Sequence, residues 1–213
     1  NMKKLEIDIP LTSATLKGDL VIPEDAIGIV IFSHGSGSSR LSSRNRMVSD
    51  LLQKQKIATL LFDLLTEEEN QIYENRFNID LLVSRLIETT EWIMEQNDTK
   101  NLPIGYFGAS TGAASALRAA AYFGKPIKAV VSRGGRPDMA INAIHQVTAP
   151  TLLIVGGMDI PIILMNKMAF DELESVKEMK IIAGATHLFE EPEKLQEVAE
   201  LAIIWYKRYF TKT

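Results

Sequence analysis

The chain has 213 residues, of which 46% are hydrophobic and 23% charged, with a formal net charge of −4. At roughly 150 residues per domain this is one domain, 1–213, with apolar residues enough for a sizeable core and too many for wholesale disorder. The acidic balance argues against nucleic acid as a partner, and the absence of cysteine removes disulfides, thiolate metal sites and a thiol nucleophile.

Asn1, ahead of Met2, reads as a leftover of cloning and is set aside. Lys3 and Lys4 lead into alternating residues instead of an apolar leader, and no apolar run nears the roughly 20 residues of a membrane span. The expectation is a cytoplasmic protein with no membrane partner. Leu5 to Ile9 and Thr15 to Ile22 alternate apolar and polar residues about a turn, which predicts an antiparallel hairpin at a sheet edge. Beyond it, short apolar runs at Ile27 to Phe32, Ile57 to Phe62, Ile104 to Phe107, Ala129 to Val131, Thr151 to Val155 and Met179 to Ile182 read as buried parallel strands. Between and after them, helical periods cover Ser42 to Gln55, Asn78 to Glu95, Thr111 to Phe123, Pro161 to Leu173 and Pro192 to Tyr209. This alternation predicts an α/β fold with a mostly parallel sheet of about eight strands. Thr66-Glu67-Glu68-Glu69-Asn70 reads as a solvated loop, and 64–78 is too short for a large lid.

Gly108-Ala109-Ser110-Thr111-Gly112 has the pattern G-x-S-x-G, between a strand and an Ala-rich helix. On such a turn the flanking glycines remove Cβ atoms where the chain doubles back, and the helix start aims N–H groups at a developing oxyanion. Ser110 is the candidate nucleophile, with N-capping of the helix as its ordinary alternative. A serine needs a base and a carboxylate that orients it. His187, after the last strand, lies at the sheet edge where Ser110 leaves its own strand; His145 reads as a surface residue. Asp159, after the strand Thr151 to Val155, completes the chain order Ser, Asp, His, although Asp also suits the cap of the helix at Pro161. Asp138 is the reserve acid. His34-Gly35-Ser36-Gly37 follows the strand Ile27 to Phe32; there the Ser36 N–H is the expected partner of the Thr111 N–H in an oxyanion hole, with His34 holding the loop.

These four loop motifs, taken together and in this order over nearly the whole length, resemble the α/β-hydrolase superfamily, and within it a small dienelactone hydrolase-like member. The resemblance implies a three-layer fold with no large lid domain, and hydrolysis of a small ester or related acyl bond through an acyl-enzyme. Members proper carry Cys at the elbow; Ser110 here favours a general serine esterase over a lactonase. The mechanism needs no metal and no cofactor, and the partner it requires is a small-molecule ester.

Arg133 and Arg136 follow a strand at the same edge and suit a fork for a substrate carboxylate or phosphate. Arg40, Arg44 and Arg46 read as solvated residues near a helix start. Two other readings stand beside the esterase. One is a nucleotide-binding module that uses Gly35 and Gly37 as a phosphate loop and Asp63 as a ribose acid. The other is a hydrolase fold that binds without catalysis.

Overall fold

In the computed structural model, which describes residues 1–211, apolar runs become strands covered on both faces. β3 (Gly28–Ser33), β4 (Ile57–Phe62), β5 (Ile104–Ala109) and β7 (Thr151–Gly156) are buried at every residue. β6 (Ile127–Arg133) is buried at all but one. Strands of this composition have no face suited to water, so helices must cover both. The hairpin β1 (Met2–Pro10) and β2 (Thr15–Pro23) forms one sheet edge, and β8 (Lys177–Ile182) the other. The order is β1-β2-β4-β3-β5-β6-β7-β8. β1 with β2 and β2 with β4 are antiparallel, and every later pair is parallel, as the alternation of elements predicts.

α1 (Ser43–Gln53) and α6 (Lys194–Phe210) cover one face, where Val48, Leu52, Val198, Ala202 and Trp205 pack on Val30, Phe107 and Ile154. α3 (Ile79–Glu95), α4 (Thr111–Phe123) and α5 (Ile160–Glu172) cover the other, where Leu82, Leu86, Leu117 and Ala169 meet Ile31, Tyr106 and Leu153. Tyr206 of α6 donates its hydroxyl to the Tyr106 carbonyl at 2.6 Å, which satisfies a fully buried phenol. The layers are those of a three-layer sandwich without a large lid.

His145 is exposed, as expected, on a short 3₁₀ turn, Ile144–Gln146. Two local expectations change. Pro192 precedes α6 instead of occupying its first turn, because Glu193 adopts φ +70° at the N-cap. The acidic stretch is ordered: α2 (Glu67–Asn70) is closed by a capping box between Thr66 and Glu69. Both Glu69 oxygens also accept from Arg85, at 2.7 and 2.6 Å, and this pairing holds the carboxyl down at about 2. The 3₁₀ turn Tyr73–Phe77 follows and leans its last ring toward the sheet edge described next.

The single-domain expectation extended to the last two residues, which lie outside the described ones. Among the described residues no helix is long and apolar enough to cross a membrane.

Candidate active site

The parallel strands all present their carboxyl ends to one edge, so the loops after β3, β5, β6, β7 and β8 meet there. Ser110 follows β5 directly, at φ +53°, ψ −125°, a conformation that costs a non-glycine residue about 1–3 kcal/mol. Its backbone is held on both sides: its N–H donates to the Arg133 carbonyl at 3.3 Å, and its carbonyl accepts from Arg136 N–H at 3.0 Å. A Cβ on Gly112 would stand 2.1 Å from the Ser33 carbonyl oxygen, so only glycine lets α4 start this close to β3. Although Ser110 occupies the N-cap position, its side chain makes no capping bond. The hydroxyl is left available to the cavity.

Asp159 likewise sits at the N-cap of α5 without capping it. Its Oδ2 instead accepts from His187 Nδ1 at 2.8 Å, which assigns the ring proton to Nδ1 and leaves Nε2 as the basic nitrogen. The two loops are laced together: Gly157 N–H donates to the Ile182 carbonyl and Met158 N–H to the Ala185 carbonyl. The imidazole lies against Gly134 (φ +54°), where a Cβ would come within 3.4 Å of the ring. Glu191 fastens the histidine loop from outside, accepting from Thr186 N–H at 2.9 Å and from its hydroxyl at 2.6 Å. These bonds also lower the Glu191 pKa.

Ser110, His187, Thr111 and Ser36 line one cavity of about 340 Å³, together with Arg133, Arg44, Phe77 and Leu188. No hydrogen bond joins Ser110 Oγ to His187 among the described residues; such contacts commonly tighten only when substrate binds. Ser36 N–H donates to Thr111 Oγ1 at 2.9 Å, and the two hydroxyls are 2.8 Å apart. The Ser36 N–H is thus taken up by the Thr111 hydroxyl, and a ligand oxygen entering between the two residues would have to compete for it.

His34 is 7% exposed, and its Nδ1 donates to the Gly35 carbonyl at 2.8 Å while Nε2 accepts from Leu64 N–H at 3.1 Å. Burial lowers its pKa and so favours the neutral ring that this bonding needs. Asp138 and Arg136, the reserve acid and the second arm of the expected fork, bind each other at 3.0 and 2.9 Å, and Arg136 is not among the cavity's lining residues. Arg133 does line it, joined by Arg44, which read in the sequence as a solvated helix residue. The only sequence signal for Arg44 is its place two residues after the N-cap Ser42, beside the oxyanion loop. Phe77 and Glu191 were also unsuspected.

A larger cavity, about 530 Å³, is lined by His34, Ser38 and Ser39 of the loop after β3 and by Lys17, Asp63 and Glu67. It holds none of the Ser110, Asp159 and His187 constellation, and its Asp63 carboxylate is taken up by Arg40 through backbone N–H and guanidinium, both at 2.7 Å. Among the described residues no cluster of three or more His, Cys, Asp or Glu is placed to hold a metal.

A sharp strand-to-helix turn at Ser110 on a mostly parallel eight-stranded sheet, with an aspartate–histidine pair at the same edge, is the architecture of the α/β-hydrolase class. The profile of the dienelactone hydrolase family matches residues 20–210, and the chain belongs to that family of hydrolases. It is 51% identical to a dienelactone hydrolase from Anabaena variabilis, whose crystal structure superposes with a TM-score of 0.95 over 98% of each chain. It is also 51% identical over 201 residues to a Mycobacterium tuberculosis protein provisionally named a phosphoribosyl transferase. That match covers 94% of this chain and 45% of the relative, so the chain spans about half its length. Est1E from Butyrivibrio proteoclasticus, 14% identical with a TM-score of 0.84 over 97% of this chain and 99% of its own, shares the fold.

Proposed function

We propose that this protein is a serine hydrolase that cleaves a small carboxylic ester through an acyl-enzyme. The observation that carries the reading is the 2.8 Å bond from His187 Nδ1 to Asp159, which leaves Nε2 free in the cavity that Ser110 lines. In the first half-reaction Ser110 Oγ bonds to the acyl carbon and its proton passes to His187 Nε2. The C–O bond to the alcohol then breaks, and the imidazolium returns the proton to the departing oxygen. Water repeats the sequence and releases the acid. Asp159 holds the tautomer and stabilises the imidazolium, while the Thr111 and Ser36 N–H groups receive the oxyanion. Arg133 contacts the substrate, while Arg136 is paired with Asp138.

A nucleotide-binding reading has less support, since the acid it needs, Asp63, is bound by Arg40. The transferase name of the mycobacterial relative describes a chain about twice as long as the matched part. The test is labelling with a fluorophosphonate alongside p-nitrophenyl acetate hydrolysis. Wild type is expected to label and turn over, and Ser110→Ala to do neither. A wild type that folds but neither labels nor hydrolyses points to the non-catalytic alternative.

A further inference from the structure

Each of the other arginines among the described residues has a partner. Arg40 and Arg46 reach Asp63 and Asp19, Arg85 reaches Glu69, Arg118 reaches Asp80 and Arg136 reaches Asp138. Arg76 and Arg208 lie over aromatic rings. Arg44 and Arg133 have neither ion pair nor ring, and the Nε of each is buried without a hydrogen-bond partner.

Arg133 is 6% exposed, and its one polar side-chain contact is a 3.2 Å bond from Nη2 to Asn45 Oδ1 of α1. Its neighbour Arg44 repels it; together with desolvation, the stronger cause, this brings Arg133 down to about 10. Burying a guanidinium beside a second one, with no carboxylate near, is unfavourable on both counts. A fold tolerates such a pair where a ligand supplies the missing charge. Both residues line the cavity of Ser110 and His187, which Ser38 and Ser42 line as well.

We infer that Arg44 and Arg133 form a subsite for a phosphomonoester group carried by the ester substrate. This rests on the serine-hydrolase reading and names its substrate class. A carboxylate would neutralise one of two facing cations. A phosphomonoester brings about −1.5 to −2 charges at neutral pH and three acceptor oxygens, enough for two guanidiniums and a serine hydroxyl. Arg133, anchored by Asn45 and by the β6 backbone beside Ser110, fixes the position of the anion. Arg44, on the first turn of α1, supplies the second cation.

The test uses phenyl acetates that differ only in the para group: methyl, carboxylate or phosphate. Release of acetate is expected to be most efficient in kcat/KM for the phosphate ester. Arg44→Gln is expected to reduce the phosphate-to-methyl ratio by about 30-fold, the scale of losing one partner of a desolvated charge pair. Inorganic phosphate, against chloride at matched ionic strength, is expected to compete with the methyl ester. Equal rates on the three esters, or a preference for the carboxylate or methyl ester, would overturn the assignment. Because Arg133 is buried and its variants can misfold, direct binding is read in Ser110→Ala by calorimetry with inorganic phosphate. Binding that Arg44→Gln weakens supports the subsite even if the serine mechanism fails, and no binding refutes it even if that mechanism holds. Ser110→Ala that still hydrolyses the esters removes the serine reading alone.

Discussion

His34 and His187 each follow a strand of the same parallel sheet and face the same end of it, yet they are set up for opposite tasks. Both nitrogens of His34 are bound to backbone, at 2.8 and 3.1 Å, in a place almost closed to water. It works as a two-pronged clip between the loop after β3 and the residues that follow β4. His187 has one nitrogen bound, to Asp159, and its side chain is 40% exposed at the cavity. A ring with both nitrogens committed to main chain cannot accept a proton without breaking a bond that shapes its loop. A ring with one committed nitrogen has its tautomer selected and its other nitrogen left free for chemistry. The number of committed nitrogens, more than proximity to the loops, separates the two histidines.

Substitution tests this division most severely at His187. His187→Ala is expected to lower kcat on p-nitrophenyl acetate by about 10⁶-fold, as loss of the base does in serine hydrolases, with melting close to wild type. His34→Ala is expected to do the reverse. It leaves the Leu64 N–H buried without an acceptor, at about 1–3 kcal/mol of stability, read as a shifted urea midpoint. Any fall in turnover should then follow loosening of the Ser36 loop. Full activity in His187→Ala, or an unfolding midpoint unmoved in His34→Ala, breaks the comparison.

Asp159→Asn sharpens it further, because the geometry is nearly kept while the Nδ1 proton loses its acceptor. An amide can present its NH₂ to Nδ1 and so stabilise the wrong tautomer, an effect worth about 10⁴-fold in kcat. Steady-state rates should therefore fall while the fold and the KM stay near wild type. A loss under tenfold would mean that the 2.8 Å contact is chiefly structural and that His187 is oriented by Gly134 and its own loop.

Much of this arrangement is legible in the chain because the physics behind it is local. Ile57 to Phe62 is short and apolar throughout, as a buried strand is, and Gly108 to Gly112 has the small residues a sharp strand-to-helix turn needs. Asp159 and His187 follow apolar runs whose direction is set once the sheet is parallel. Arginine partners are less local. Arg46 finds Asp19 across 27 positions and Arg85 finds Glu69 across 16. Whether a basic residue is solvated, paired or left bare thus depends on which acids the fold brings across. Arg136 and Arg44 differ for that reason: Asp138 stands two residues from the first and pairs with it, while the second lines the cavity with its Nε buried and without a hydrogen-bond partner. The segment between β4 and α3 was opaque for a similar cause, since its order depends on Arg85 arriving from the next helix.

The smallest effect isolates the protonation of His34. Burial lowers its folded pKa below the ordinary 6.5, so the unfolded chain binds a proton that the folded chain refuses. Its contribution to stability is complete above about pH 6.5 and declines as pH falls toward the folded value, with a slope of at most about 1.4 kcal/mol per pH unit. Glu69 also loses its contribution on acidification, but between its unfolded value of 4.5 and the folded value of about 2, so the upper part of the window belongs to the histidine. Urea midpoints of wild type and His34→Gln, taken between about pH 7 and 5, should differ by a steeper acid decline in wild type, even though glutamine can still accept from Leu64 N–H. Parallel profiles would mean that His34 takes up its proton in the folded state, and a charged ring clipped to Leu64 N–H is not compatible with the bonding described for it.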